Sequence, residues 1–528
     1  MRGKLKLALM ACLVVACSKE GISPERNLDY TYGRDLSHER IVLGDRLENP
    51  YKTENISAAL KSLYPTKADR VDVRTTDLYV RFLPADEKQF RMLEGLGLHL
   101  VDHPLDYEIR VEGDWYHDPS IPENDVTWQY AVVPHDFSFP EDVIYEIIDE
   151  CYLSEHNSGT RTDDGIDWEA VERQAYILTG NGQMLETAET RASAKVVPSG
   201  RITIVDEDAN GGKAFGLAGV KVSCNSFVKF DSAYTDRDGY YAMEKSYSSN
   251  LRYRLVFQNV KGFSLGFNLI LVPASVSTLG KSGPEGVNMT VTKDSDEKLY
   301  RRCVVNNSAY DYYERCSADD LCISPPPSDL RIWLFNGLDA SSAVMLHHGA
   351  VIDSKLIGSF LGKFASLLKF FMPDITIGTR NLKEYNRIYS AVCHELAHSS
   401  HFSKVTKGYW NDYIRYIIES FVKTGGMTYG DGSGTGAGNC EIGEMWAYYV
   451  ESLFYKDRYG GTFPTFGTSY WFYPQIFRYL DERGISCSEI LSILDDNVKS
   501  KVDLKSALLT AYPSDRVAIE QVFSRYGN

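Results

Sequence analysis

Hydrophobic and polar positions alternate over several stretches of the first half of the chain, whereas apolar residues recur every three to four positions in the second half. Residues 76–82 alternate and predict a strand, and residues 88–94 predict a helix that ends at Gly95. Another strand is expected over residues 98–101. Together these elements predict a small α/β unit over residues 51–198.

The following stretch, residues 199–295, predicts strands and no helix. Residues 201–205 and 220–222 have strand patterns, and an Asp-Gly pair at 238–239 lies between β-rich segments, where it is a strong turn signal. Strands and turns at this spacing predict a β-sandwich. Residues 200–202, 218–220 and 235–241 also resemble the carboxypeptidase regulatory-like, transthyretin-like domain. That resemblance implies a module that positions its neighbours and has no catalytic role.

Residues 296–528 are predicted to be mainly helical. Short strands are expected at three places before the longest helical pattern, over residues 330–335, 342–346 and 374–378. The whole chain is therefore expected to have a multidomain α+β fold. It would comprise the small N-terminal α/β unit, the β-sandwich middle domain and a mainly α C-terminal domain.

The N-terminus has the pattern of an export signal. Residues 1–17 begin with basic positions and continue with an apolar run that is too short to span a membrane. The Val-Val-Ala-Cys run that ends at Cys17 resembles a bacterial lipobox, which implies that Cys17 is lipid-modified and begins the mature chain. Polar residues 18–20 favour an outer-membrane lipoprotein of the cell envelope, with surface exposure left open. Residues 18–50 are predicted to be a tether, and an ordinary secretory signal is the alternative.

Composition narrows the function classes. A chain of 528 residues suggests about three domains. Its net charge of −16, without a basic cluster beyond the first residues, argues against nucleic-acid binding. No Cys-x-x-Cys pair indicates a four-cysteine zinc site, but a disulfide is expected among Cys303, Cys316 and Cys322. Isolated histidines such as His103 are not predicted to bind a metal.

The candidate chemistry lies in the helical pattern over residues 382–402. His394 and His398 are four residues apart, so both imidazoles project from one side of a helix and can reach one tetrahedral zinc ion. Glu395 can take a proton from a zinc-activated water as the water attacks a carbonyl. The histidines fall outside the apolar stripe of this helix, which comprises Tyr385, Ile388, Tyr389, Val392 and Leu396.

A catalytic zinc usually has a third protein ligand. The metzincin pattern fails, because His401 and Lys404 occupy the positions that it requires. A second helix is predicted over residues 440–455, where the Glu-x-x-Ala run resembles the ligand helix of gluzincins related to anthrax lethal factor. The resemblance implies that Glu444 is the third ligand, with Glu441 and Glu451 as alternates.

Three further features remain open. His401 is a metal ligand, a partner of a ligand or a substrate-facing group, and direct ligation is the less favoured role. Tyr448 lies on the same helical face as Glu444 and is the candidate donor to a developing oxyanion, with Tyr429 as a second candidate. The glycine-rich residues 425–438 are interpreted as a lid beside the zinc or as a plain connection.

The sequence therefore predicts a zinc-dependent peptidase that hydrolyses peptide or protein substrates. The His-Glu-x-x-His-x-x-His run, the lipobox and the sandwich also resemble lipoprotein metallopeptidases of Bacteroidetes-type bacteria. The alternative function is a surface binding lipoprotein whose zinc site is structural or inactive. A closed site with four protein ligands, His401 included, would favour that alternative.

Overall fold

A computed structural model shows a mixed α/β chain in several parts. Cys17 and most of the predicted tether lie outside the described residues. The structure describes residues 40–66, 68, 71, 73–122, 125–156, 165–185, 196–266, 274–318, 321–335, 341–350, 372–424, 429–461 and 470–526.

Within the described residues, the N-terminal unit contains two small antiparallel sheets and three α-helices. One sheet pairs β1 with β3, and the other has the order β4-β2-β5. Asp86 caps helix α2, since its side chain accepts a hydrogen bond from the backbone N–H of Gln89. The elements are β1 (Val42–Arg46), α1 (Thr53–Leu63), β2 (Asp77–Leu83), α2 (Glu87–Gly95), β3 (Tyr107–Val111), β4 (Gln129–Pro134), β5 (Ile144–Cys151) and α3 (Trp168–Leu178).

Two expectations for this unit are wrong in detail. Residues 40–50, which were expected to belong to the tether, are part of the fold, because Ile41 is buried and donates its backbone N–H to the Trp115 carbonyl. Residues 98–101 form no strand; Val101 alone makes a bridge, to Tyr130. Val101 exchanges both backbone hydrogen bonds with Tyr130 of β4, so the segment meets that strand at a single residue and does not run along it.

The remaining strands form two larger sheets. A four-stranded sheet has the order β10-β6-β14, with β7 also on β6. An eight-stranded sheet has the order β16-β17-β15-β12-β11-β8-β9, with β13 also on β11. The strands are β6 (Ser199–Ile204), β7 (Phe215–Gly216), β8 (Val220–Ser226), β9 (Lys229–Tyr234), β10 (Tyr240–Ala242), β11 (Leu251–Asn259), β12 (Phe263–Gly266), β13 (Val276–Ser282), β14 (Met289–Val291), β15 (Leu330–Phe335), β16 (Ser342–Ala343) and β17 (Ile375–Gly378).

The predicted boundary between residues 295 and 296 does not separate two cores. Strand β12 pairs in parallel with β15, with Leu265 opposite Ile332, and β15 pairs in parallel with β17. One hydrophobic cluster runs from Ile202 to Phe523. Because strands from both sides share hydrogen bonds and a core, the two segments fold together.

Eight α-helices are found among the described residues after strand β14, and the first of them precedes β15. The expected strand over residues 342–346 is cut to two residues, and Met345 beyond it has a left-handed backbone with φ of 53°. The helices are α4 (Glu297–Cys316), α5 (Tyr385–Phe402), α6 (Lys407–Thr424), α7 (Ala437–Tyr459), α8 (Gln475–Asp481), α9 (Cys487–Ile493), α10 (Lys501–Ala511) and α11 (Arg516–Ser524).

Helices α5 and α7 are buried on nearly all sides. The apolar stripe of α5 is buried as predicted, but His394, His398 and His401 are buried as well. The reason is that α5 packs against α4, α7 and the short strand β16 at once. None of the helices in the described ranges has both the length and the apolarity to cross a membrane.

The expected disulfide is absent from the described residues. Cys303, Cys316 and Cys322 are free thiols, and the first two are buried. Burial raises the pKa of the Cys303 thiol and raises the pKa of the Cys316 thiol to about 12, so these side chains behave as neutral packing groups at ordinary pH.

A buried ion pair joins the four-stranded sheet to helix α7. Asp206 follows strand β6 and has a fully buried side chain that accepts hydrogen bonds from Arg458 and Tyr459. The Arg458 guanidinium also lies over the rings of Tyr385 and Tyr389, at 4.9 and 5.1 Å. The pair therefore attaches the sheet to both helices that carry the histidines and glutamates of interest.

Replacing Arg458 with Leu is expected to destabilise the chain by about 3–5 kcal/mol, because Asp206 would remain buried without its cation. The free energy of unfolding in urea measures the effect. The control is Arg516→Leu, which removes an exposed pair with Glu520 and should change stability by less than about 1 kcal/mol. Equal losses in the two variants would contradict the prediction.

Candidate metal centre

Three buried side chains from two helices bring possible metal ligands together. His394 and His398 come from α5, and Glu444 comes from α7. The Nε2 atoms of the histidines are 3.2 Å apart. Glu444 Oε2 lies 3.5 Å from His394 Nε2, and Glu444 Oε1 lies 3.6 Å from His398 Nε2. These residues form the one such metal-binding group found in the described part of the chain.

The group forms because α5 and α7 pack closely over their whole length. The four-residue spacing of the histidines stacks their side chains on one side of α5. Trp446, two positions after Glu444, donates its indole N–H to the backbone carbonyl of Ala397 at 3.0 Å. This hydrogen bond fixes the position of α7 along the axis of α5, so that Glu444 lies opposite the two histidines.

Glu444 and His394 each shift the pKa of the other side chain toward its charged form. Burial would raise the pKa of Glu444, but His398 and His394 outweigh it and hold this pKa at about 2. Burial would lower the pKa of His394, yet Glu444 and Glu451 raise it to about 10. Burial lowers the pKa of His398. At neutral pH the metal-free group therefore contains a carboxylate, one cationic imidazole and one neutral imidazole.

Two further contacts orient the ligand atoms. Glu451, two turns after Glu444 on α7, has Oε2 3.1 Å from His394 Nδ1. A carboxylate only accepts, so Nδ1 carries the proton and Nε2 is directed to the metal position. Ser390 donates to the other oxygen of Glu451. Tyr413 of α6 donates to Glu444 Oε1 at 2.7 Å.

The alternate ligands do not join the group. Glu451 contacts the outer nitrogen of His394, as described, and Glu441 contacts the backbone N–H and the ammonium of Lys501. His401 is fully buried beside the rings of Tyr409 and Trp410. Neither of its ring nitrogens has a hydrogen-bond partner among the described residues. Burial lowers the pKa of His401 to about 3, so its imidazole is neutral.

Glu395 is buried at 1% exposure, one residue after His394. Its negative charge is among the causes that raise the pKa of His394. It is absent from the three-residue group itself. A carboxylate beside the ligands that does not occupy a ligand position is suited to proton transfer.

Tyrosine side chains cover one side of the group. The Tyr448 ring packs edge-on against His394, with centroids 4.6 Å apart. Its hydroxyl lies 3.5 Å from those of Tyr429 and Tyr470. These separations are long for O–H···O hydrogen bonds, so the Tyr448 hydroxyl can serve another acceptor.

The described part of the glycine-rich loop is held in place. The Tyr429 carbonyl accepts from the Tyr416 hydroxyl at 2.9 Å and from the Trp471 indole at 2.7 Å. Gly432 donates its backbone N–H to the Tyr416 hydroxyl. These hydrogen bonds hold residues 429–436 in a position that brings Tyr429 next to Tyr448. Residues 425–428 lie outside the described ranges.

No protein-family model matches the chain. No curated protein matches it either.

The roles of Glu451 and Tyr413 were missed by sequence reasoning. Glu451 lies seven residues after Glu444 and so faces the same side of α7, which is a usable signal. A ligating histidine also needs an acceptor for its second ring nitrogen. Tyr413 could not be found in the same way. It lies on helix α6, and helical spacing does not relate a residue of α6 to the histidines of α5 or to Glu444 of α7.

Glu451→Gln is expected to weaken metal binding by about 10–100-fold, because His394 would lose the charged acceptor that orients its ring. Competition with a chromophoric chelator measures the affinity. Glu441→Gln is the matched control: it changes another buried glutamate of α7 outside the group and should leave the affinity unchanged. Equal losses in both variants would assign the effect to general destabilisation of α7.

Metal binding at neutral pH is expected to release about one proton, because a cationic His394 must become neutral before Nε2 can bind. With its pKa raised to about 10, affinity should increase about tenfold per pH unit between about pH 6 and 9. Calorimetry in buffers with different ionisation enthalpies measures the release. An affinity that does not change over this range would show that His394 is already neutral.

Proposed function

We propose that the chain is a zinc-dependent hydrolase of peptide bonds. The observation that carries the proposal is the spacing of the three ligand atoms. A tetrahedral zinc bound at 2.0–2.1 Å requires its ligand atoms to be about 3.3–3.4 Å apart. The separations among His394, His398 and Glu444 are 3.2, 3.5 and 3.6 Å. Two imidazoles and one carboxylate are also a donor set typical of catalytic zinc.

The catalytic roles follow from the chemistry of the buried side chains. When bound, zinc polarises a carbonyl and lowers the pKa of a water molecule. Glu395 is proposed to accept the proton of the attacking water and to deliver it to the leaving amine. Tyr448 is proposed to donate its hydroxyl to the developing oxyanion, since its ring packs on His394 and both of its hydroxyl contacts in the described residues are long, at 3.5 Å.

The number of ligands favours a catalytic over a structural site. A structural zinc site has four protein ligands, whereas a catalytic one has three and an open position. His401 is the residue that would close the site, yet it stays outside the metal group. Three ligands therefore support hydrolysis more than they support the surface binding lipoprotein with an inactive zinc.

We also propose the fold of the individual domains and the location of the chain in the cell. Helices α5 and α7 beside the short edge strand β16 support a zincin-like C-terminal fold. The two sheets with a common hydrophobic cluster support a carboxypeptidase regulatory-like sandwich over the middle strands. Attachment to the outer membrane through Cys17 rests on the lipobox resemblance alone.

The first measurement is metal content by mass spectrometry on the purified chain. One zinc per chain is expected, and His394→Ala should remove it, since one of three ligands is lost. A chain that takes up no zinc from zinc salt would sink the proposal. Retention of zinc by His394→Ala would place the metal elsewhere.

Glu395→Gln is expected to lower hydrolysis of a mixed peptide library by about 10²–10⁴-fold, because amide oxygen cannot take the proton of the attacking water. Zinc content should be unchanged in this variant, since Glu395 is not a ligand. Mass spectrometry of the digested library measures both the rate and the bonds cleaved. Full activity in the Gln variant would exclude Glu395 as the general base.

A further inference from the structure

A cavity that shares no lining residue with the metal group lies between the N-terminal unit and the eight-stranded sheet. It has a volume of about 290 Å³ and is named here the sheet-face cavity. Its floor is one face of strands β8 and β11, where Lys221 pairs with Val256 and Ser223 pairs with Arg254. Its roof includes His99 and Leu100 from the segment that was expected to be a strand.

An unusual hydrogen-bond chain anchors Arg254 at this cavity. Asp102 Oδ1 lies 2.9 Å from His103 Nδ1, and Arg254 donates to His103 Nε2 at 2.8 Å. Because Arg254 has no acceptor capacity, His103 must accept at Nε2 and donate at Nδ1, and its imidazole is neutral. Burial, followed by the charge of Arg254, lowers the pKa of His103 to about 4, in agreement with this assignment.

The Arg254 guanidinium therefore donates to a neutral imidazole, and this hydrogen bond does not neutralise its positive charge. Arg254 is 7% exposed, and no carboxylate in the described residues lies within ion-pair distance of it. Burial and the neighbouring Arg252 lower its pKa only to about 10, so it is cationic at neutral pH. A buried cation without a carboxylate partner is costly unless an anion binds there.

Lys221 adds a second cation to the same wall. Its ammonium has the side chain of Gln258 at 3.5 Å and the Tyr234 ring at 5.9 Å, and no ion pair in the described ranges. Burial lowers the pKa of His99 to about 3, and all its charged contributors are cations: Lys221, Arg254 and Lys245.

The carboxylates that border the cavity are occupied elsewhere. Asp102 accepts from His103 and from the Tyr116 backbone N–H. Asp114 pairs with Arg302 and Lys298. Glu94 pairs with Arg91, and burial raises its pKa. Three carboxylates against two cations leave the lining without a net positive charge. Each carboxylate has its own partner, however, and none is within ion-pair distance of Arg254 or Lys221 in the described ranges.

We propose that the sheet-face cavity binds a small organic carboxylate, with the charged end on Arg254 and Lys221. The fork of a guanidinium matches a carboxylate in geometry and charge. The remaining walls mix polar and apolar side chains. The apolar ones, which include Phe90, Leu98 and Val256, can cover an apolar tail, and this favours an organic anion over a hydrated inorganic ion. The volume is at the low end for ligand sites, so the ligand is small.

The same carboxylate chemistry is present in a free acid and at the C-terminus of a peptide. Calorimetry with the purified chain can separate these sources by using hexanoate and N-acetyl-valine as probes. Hexanamide and N-acetyl-valinamide are the uncharged counterparts. Binding of hexanoate alone assigns a free acid, and binding of N-acetyl-valine alone assigns a peptide end; both results support the proposal, as does binding of both acids.

Each acid that binds is expected to do so about tenfold or more tightly than its amide, because a charged acceptor strengthens the hydrogen bonds. Lys221→Gln should weaken that binding by about tenfold or more. The matched control is Lys281→Gln on strand β13, which removes a cation from the same sheet outside the cavity and should leave binding unchanged.

Lys221 is half-buried and carries no ion pair in the described ranges, so its replacement tests the site without removing the buried Arg254. Circular dichroism checks that both lysine variants keep the fold. The proposal is overturned if neither acid binds at about 10 mM, a weak-ligand limit, or if acids and amides bind equally. It is also overturned if Lys281→Gln weakens binding as much as Lys221→Gln does, or if only inorganic phosphate binds.

Discussion

The close packing of helix α5 against helix α7 is the constraint on which the candidate centre depends. Both helices are buried on nearly all sides. Their polar side chains therefore cannot form hydrogen bonds with solvent and must form them with one another. His394 lies between Glu444 and Glu451 for this reason, with one carboxylate at each ring nitrogen. A small shift of α7 along α5 would leave buried charges unpaired, and the indole contact of Trp446 opposes such a shift.

The sheets support this helix pair from outside. Strand β17 lies next to β16 at the end of the large sheet, and α5 begins seven residues after β17 ends. Asp206 extends the support to the smaller sheet through Arg458, whose guanidinium contacts rings of α5. The helices are therefore connected to both sheets by hydrogen bonds and ring contacts, and their relative position is set by packing over a large part of the molecule.

Local features of the chain were predictable, and long-range ones were not. The helix with His394 and His398, and the approximate extents of strands β2, β6 and β15, follow from periodicity and spacing. Glu444 came from a resemblance, and the three side chains do converge. The hydrogen bond of Glu451 to His394 and the pairing of β12 with β15 depend on tertiary packing, which no local pattern encodes. Burial of the histidine face was missed because periodicity reports only the apolar stripe.

The parallel pairing of β12 with β15 also has a consequence for how the chain acquires its structure. The two strands are separated by more than 60 residues, and β17 follows later still. As the chain is synthesised, β11 and β12 can form their hairpin early, but the outer edge of β12 stays unpaired until β15 has emerged. Until β15 has been synthesised, the middle strands can pair with a wrong strand. Correct folding of this sheet therefore requires the C-terminal segment that also contains the metal ligands.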